Sequence, residues 1–349
     1  MQATKNENQE KSFYPFWIGV DVSKDSFTAA CRSILPDYGV RLPPVEKFSF
    51  SMTDVRMFLD WARRTCEFDF GIAMEVTGIY SEQLARLIRK AAPEQHVALC
   101  NANSVSMYAR SYTDEKSDKA DAARIAGYAI DRQPAAPRPR SEAETRLLET
   151  VRERNRLVVE KNGLENSLES IRYREVAKIH RSLISTLDRS IGRLDVLIRK
   201  IVMSDEIIRK EVELMTTVPG VGFLSAACIY AELGSLKNYT RRQISALSGV
   251  CPVNKTSGTS VRKHSMSRKG SKLLRKILYL DSHQAIRLIP AMAGFHERML
   301  AKPNSSKMSA KCACMRKLLL ILHAVVGNER PFDPNYKSEP PFKKNEIPA

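Results

Sequence analysis

No apolar run in the chain approaches the ~18 residues of a membrane-spanning helix, so a helical membrane protein is excluded. The N-terminal stretch MQATKNENQEKSFYPFW has no apolar core and does not read as a secretory signal. Cysteine is sparse: seven, an odd number scattered through 349 residues, fit reduced thiols in the cytoplasm better than a disulfide framework. Cys312 and Cys314 have no second Cys or His pair at zinc spacing, so structural zinc is not expected. Proline is missing from residues 141–213. Acidic residues are nearly missing from residues 237–317, where 18 Lys and Arg face only Asp281 and Glu297.

What is present is positive charge. The chain carries a formal net charge of +17, and almost all of that excess lies in the acid-poor stretch. A localised excess of this size predicts an anionic partner with many phosphates, and nucleic acid is the usual one. The length predicts two or three domains with real cores.

Residues 1–15 read as a disordered leader. Phe16–Val22 reads as a buried strand carrying Asp21 near its end; Ser26–Cys31 and Lys47–Phe50 read as two more strands. Thr53 or Asp54 caps a helix with Val55, Phe58, Leu59 and Ala62 on one face. Phe68–Glu75 is a fourth strand ending in a carboxylate, Ser81 opens another helix, and His96–Cys100 is a fifth strand. A helix follows from Asp118, with Ala122, Ala123, Ile125, Ala126 and Ile130 at helical spacing. Three early strands, then strands alternating with helices, predict an α/β domain with a mixed sheet over residues 16–135. The proline-rich Gln133–Arg140 run marks a boundary.

Residues 141–213 read as a helical segment. Ile179, Leu183, Leu187, Ile191, Leu194, Ile198 and Ile201 form a seam that drifts into coiled-coil spacing. A helical hairpin fits, its seam serving either dimerisation or packing within the chain. Residues 214–327 read as a mostly helical domain. It has helices after Gly222, near Arg241–Ser248, Lys272–Leu288 and Ser309–Val326, and a loop over Gly249–Lys272. Residues 328–349, rich in Pro, Lys and Glu, read as a disordered tail.

Four carboxylates attract attention. Asp118 and Asp121 lie three apart, so a helix turns both to one side. Asp21 and Glu75 sit at strand ends, where α/β folds gather functional groups. Each alone reads more readily as an ordinary turn, surface or helix-start residue. Together they would make a site for two Mg²⁺ ions, with Mn²⁺ as a possible substitute, of the type that clamps a phosphodiester.

Ile18–Lys24, Met74–Gly78 and Lys116–Ala122 resemble the RuvC-like (RNase H-like) half of the DEDD transposases. These are the insertion-sequence family numbered one hundred and ten, which includes the Piv-type DNA invertases. Val218–Gly222, Leu247–Pro252, Thr256–Gly258 and Ser267–Arg275 resemble that family's C-terminal transposase domain, in order. The similarity spans about residues 16–325. Ser117 departs from the family's usual threonine.

The resemblance implies a cytoplasmic, nucleoid-associated DNA recombinase acting as a dimer or tetramer on double-stranded DNA, guided by a bridge RNA. It implies that Asp21, Glu75, Asp118 and Asp121 bind Mg²⁺ and that Ser257 attacks DNA to give a phosphoserine link. The residues themselves leave Ser257 in competition with Ser260, Ser265, Ser267 and Ser271. Lys255, Arg262, Lys263 and His264 surround it as a phosphate pocket would require, Gly258 permits close backbone approach to the strand, and Arg268, Lys269, Lys272 and Arg275 are further candidate nucleic-acid contacts. Pro219, Gly220 and Gly222 resemble a helix–hairpin–helix turn, with a plain helical-hairpin turn as the other reading. A hydrolytic RuvC-like nuclease and a non-catalytic nucleic-acid-binding protein are the competing functions.

Overall fold

A computed structural model describes residues 13–35, 45–76, 79–109, 117–257, 261–266, 270–303 and 305–335. The chain divides into two compact units, Met1–Pro139 and Arg140–Ala349.

The first unit is built on strands β1 (Phe16–Val22), β2 (Ser26–Ser33), β3 (Val45–Ser49), β4 (Phe70–Glu75) and β5 (Val97–Cys100). They lie in the order β3-β2-β1-β4-β5. β1, β2 and β3 are antiparallel neighbours, whereas β4 runs parallel to β1 and β5 parallel to β4. Alternation along β1 gives the sheet two apolar faces. Phe16, Ile18 and Val20 join Phe27, Phe48, Ile72 and Met74 beneath helices α1 (Met52–Thr65) and α2 (Ile79–Ala91). Trp17, Ala73, Ala98 and Cys100 face the other way, against Val105, Ile125 and Ala129. Those three come from α3 (Ala102–Ala109) and α4 (Asp118–Arg132).

α4 lies directly on β1. A Cβ added at Gly19 would collide with the backbone of Ala122 and Ala126, so only glycine admits the helix at this depth. The far end of α4 is pinned by Gln133, in the left-handed conformation at the C-cap. Its Oε1 accepts from the Tyr14 backbone N–H (3.0 Å) and Trp17 Nε1 (3.1 Å), and its Nε2 donates to the carbonyls of Tyr14 and Ile130. α4 therefore runs antiparallel to β1. Its C-terminus lies over residues 14–17 and its first turn lies toward Asp21.

Among its described residues the second unit is helical apart from one ribbon: α5 (Glu142–Leu168), α6 (Arg174–Ser204), α7 (Glu206–Thr216), α8 (Phe223–Leu233), α9 (Arg241–Leu247), α10 (Lys272–Leu288), α11 (Pro290–Leu300) and α12 (Lys307–Gly327). A short 3-10 turn, Leu236–Asn238, precedes α9. α8 buries nearly its whole length, as a helix apolar all round must. α5 starts at a Ser141–Glu144 capping box whose Glu144 also accepts from the Tyr230 hydroxyl of α8 (3.1 Å). α5 and α6 run antiparallel, tied by Arg154–Asp195 and by Lys161–Asp188 at 2.6 Å.

The structure divides the long seam of α6. Ile198 and Ile201 enter the core of the unit, Leu187, Ile191 and Leu194 are half-buried, and Ile179 and Leu183 stay 61% and 48% exposed. The Gly249–Lys272 stretch, expected as loop, holds two antiparallel strands, β6 (Pro252–Ser257) and β7 (Val261–Met266). Helices α3 and α11 also lie where none was expected; α3 is only eight residues long, and Pro290 starts α11 at its first position. α1 begins at Met52 under a Ser51 cap, with Asp54 inside its first turn rather than before it. Residues 328–335, which composition assigns to a disordered tail, are instead held against α7: Phe332 N–H donates to Thr217 Oγ1 (2.9 Å).

Two glycine substitutions should move stability in opposite directions. Gly19→Ala drives a methyl into the α4 backbone and should cost about 3 kcal/mol. Gly163→Ala, in an α5 position with open space around it, should gain up to ~1 kcal/mol from helix propensity. Urea titrations of the two variants check the pair.

Candidate active site

The acidic group is assembled by strand register and by the seating of α4. Val20 pairs with Met74 across parallel β1 and β4, so Asp21 and Glu75 are the next residues at the same level. Both fall on the alternation phase of Trp17 and Ala73, which is the face covered by α4. α4 delivers Asp118 and Asp121 in its first turn, where Ser117 caps the helix by accepting from Ala120 N–H (3.2 Å). Acidic residues suit this position because the helix N-terminus carries partial positive charge.

The electrostatics show that the groups feel one another. The Asp21 carboxyl is pushed above its usual range, first by burial and then by the negative charges of Asp121 and Asp118; a backbone hydrogen bond at Val22 opposes the shift. Glu75 is pushed up by burial, then by Asp21 and Asp121. The cost of burying carboxylates beside further negative charge is relieved by protons or by a cation. Among the described residues no three His, Cys, Asp or Glu side chains already stand close enough to enclose a metal ion. Arg124, one turn along α4, pairs with the Asp121 carboxylate. The all-oxygen donor set would fit a hard divalent ion such as Mg²⁺.

Two neighbours of this group were not singled out from sequence. Cys100 pairs in register with Glu75, and its thiol is pushed up to about 12 by burial and then by Glu75. Arg124 carried a usable signal, an Arg three residues after Asp121 on a helix. Cys100 carried none beyond closing a strand.

In the second unit, Ser257 is the last residue of β6 and pairs with Val261 of β7. Lys255 lies opposite Lys263 and Thr256 opposite Arg262. The ribbon thus brings three of the expected phosphate contacts within two register positions of Ser257. Gly258, Arg268 and Lys269 lie outside the described residues, as do the competing Ser260 and Ser267. Ser271 is the N-cap of α10, where it accepts from Leu274 N–H (3.2 Å). Lys272 starts that helix, and Arg275 donates to the Gly270 carbonyl (3.0 Å).

Pro219, Gly220 and Gly222 form the turn between α7 and α8. Gly220 has φ +95°, and a Cβ there would meet the backbone nitrogen of Ala285 at 2.7 Å, so glycine is required for both conformation and contact with α10. Gly222 caps α8 without any side-chain hydrogen bond and has open space around it. The first-turn N–H groups of α8 thus have no side-chain cap to compete with an anion.

Comparison with known proteins agrees along the chain. The family described as Transposase IS116/IS110/IS902 matches residues 212–297, and the DEDD transposase family of IS110, described as Transposase, matches residues 18–171. A pilin gene-inverting protein of Moraxella bovis is 28% identical over 270 residues, covering 75% of this chain and 81% of that protein. The transposase for insertion sequence element IS1111A of Coxiella burnetii is 28% identical over 101 residues, 29% of this chain and 27% of that one. An uncharacterized 43.6 kDa protein of insertion element IS110 from Streptomyces coelicolor is 25% identical over 114 residues, 32% of this chain and 28% of that one.

The repulsion has a measurable consequence. Acids with raised proton affinity in the fold stabilise it only while protonated, and that contribution is lost as pH rises through their folded values. Metal-free protein should therefore melt a few degrees below its Asp21→Asn and Glu75→Gln variants at neutral pH, and the gap should close in acid. Millimolar Mg²⁺ should raise the melting temperature of the parent more than that of either variant.

Proposed function

Because the chain belongs to the IS110 family of DEDD transposases, we propose that it is a DNA recombinase that cuts and rejoins strands through a phosphoserine link. The observation that carries this reading is the placement of Asp21, Glu75, Asp118 and Asp121 by β1, β4 and α4 on one sheet face, where burial and then the neighbouring acids raise the proton affinities of Asp21 and Glu75. The mixed order β3-β2-β1-β4-β5 supports a RuvC/RNase H-like unit, in which such a cluster is the catalytic centre.

In this reading Asp21, Glu75, Asp118 and Asp121 would hold two Mg²⁺ ions. The ions would neutralise charge building on the reacting phosphate and favour the ionised serine. Arg124 keeps Asp121 charge-balanced until then. Ser257 supplies the nucleophile. Its Oγ forms a bond to phosphorus as the strand's own P–O bond breaks, leaving one strand end as a free hydroxyl and the other esterified to the protein. Attack by a hydroxyl of an incoming strand reverses the step, reseals the DNA and restores Ser257. Because one phosphate ester replaces another, no nucleotide cofactor is consumed.

Lys255, Arg262 and Lys263 on the ribbon, Lys272 and Arg275 at the start of α10, and the uncapped N-terminus of α8 hold phosphates beside the cut. Gly258, Arg268 and Lys269 complete the phosphate-binding set. The partners in this reading are the DNA of the element ends and target, a bridge RNA that specifies them, and further copies of the chain as a dimer or tetramer. The setting is the bacterial cytoplasm. Among the described residues no helix is long and apolar enough to cross a membrane.

The test is a denaturing gel of protein incubated with Mg²⁺, guide RNA and labelled substrate DNA. A covalent adduct is expected with the parent and absent from Ser257→Ala, which should keep its DNA affinity within about twofold because a neutral hydroxyl contributes little to phosphate binding. Asp118→Asn should lose both adduct and cleavage. Wild-type cleavage by Ser257→Ala would make water the nucleophile and the protein a hydrolytic nuclease.

A further inference from the structure

Beyond the ribbon and the α7–α8 turn, the second unit carries an arrangement of charge that neither uses. Glu329, just past α12, reaches two lysines at once: its Oε2 accepts from Lys210 Nζ of α7 at 2.5 Å and its Oε1 from Lys237 Nζ of the 3-10 turn at 2.5 Å. Those two hydrogen bonds, and then the two charges, hold the Glu329 carboxyl down at about 2. The lysines belong to separate elements and are 56% and 36% exposed. The carboxylate is placed between them by a backbone φ of +50°, left-handed for a residue that is not glycine.

Stability does not account for this arrangement. Exposed ion pairs add little net free energy, and a non-glycine left-handed residue gives some of it back. The segment is anchored without Glu329: Phe332 packs against the core, and its N–H donates to Thr217 Oγ1, two residues before the Pro219–Gly222 turn. A carboxylate held with two oxygens on two lysines copies the contact that a phosphodiester makes through its two free oxygens. Exposed Arg241 and Arg242 extend the positive charge a few residues beyond Lys237.

We propose that Lys210 and Lys237 form a further contact for the phosphate backbone of nucleic acid, and that Glu329 occupies it in the free protein and is displaced on binding. This inference rests on the DNA-binding reading above. It adds a contact outside the ribbon and makes part of the affinity conditional on moving one side chain.

The experiment is fluorescence anisotropy of the full chain with a labelled duplex of arbitrary sequence, across a salt series. Glu329→Gln should bind about three- to tenfold more tightly at low salt, with the slope of log K against log salt steeper by about 1–2, as release of two lysines predicts. Lys210→Gln should change parental affinity by less than about twofold but remove at least half of the gain in the Glu329→Gln background. Glu213→Gln, the same charge change on exposed α7, should give little. Equal gains from Glu213→Gln and Glu329→Gln would reduce the effect to net charge and overturn the inference. So would unchanged affinity in a Glu329→Gln protein whose melting temperature matches the parent. If the parent itself fails to bind duplex, the DNA-binding reading falls and this inference with it.

Discussion

The first unit depends on one close approach. At Gly19 the backbone of α4 rests on the backbone of β1, with no side chain between them. That contact sets how deep the helix lies, and the four hydrogen bonds of Gln133 set where along the strand it ends. With depth and one end fixed, the other end has no freedom: the first turn must come down beside the ends of β1 and β4. The acidic cluster is therefore a consequence of packing some distance from it. Side chains placed by rigid elements hold their geometry better than those on loops, which matters where four like charges must stay close.

Such a cluster works against the fold that carries it. Asp21 and Glu75 lose solvation and meet negative neighbours, and each prefers a proton for both reasons. The partial positive charge of the α4 N-terminus and the Arg124 guanidinium offset some of this cost. The offset is incomplete, because Asp21 and Glu75 remain shifted upward. Net repulsion that a cation can relieve is how a binding site stores affinity, at the expense of the empty protein's stability.

The sequence made much of this legible, for identifiable reasons. β1 and β4 are apolar runs broken by turn signals and ended by acids, and α4 has a cap and a clean helical stripe, so type, order and candidate acids could all be read. Convergence could not be derived from spacing, because it depends on strand order and on Gly19, a residue whose significance appears only once α4 lies against it. The β6–β7 ribbon was hidden for another reason. Its strands, PVNKTS and VRKHSM, are rich in charge and poor in apolar alternation, so the pattern that marks a strand is replaced by residues suited to phosphate. α6 shows the reverse case. Its seam is continuous in sequence, yet only the end near Ile198 and Ile201 finds a core, because the other end extends past the helices that could cover it.

The placement of the few acids in the basic stretch bears on the charge that the second unit presents. Of the two acids among residues 237–317, Asp281 is only 6% exposed, and its carboxyl, pushed up to about 6 by burial, accepts from Ser225 in the first turn of α8 (2.9 Å). Its side chain is turned into the core, whereas that of Glu297 is exposed. Two acids of the unit illustrate two placements: Asp281 is buried, and Glu329 is committed to two lysines. The second arrangement differs in kind from the first. A buried acid is fixed by the core, whereas an exposed acid on two exposed lysines can be exchanged for any anion that offers the same two oxygens at higher local concentration. Long-range attraction comes from the unbalanced charge, and the exchange at Lys210 and Lys237 adds a contact that forms only after encounter.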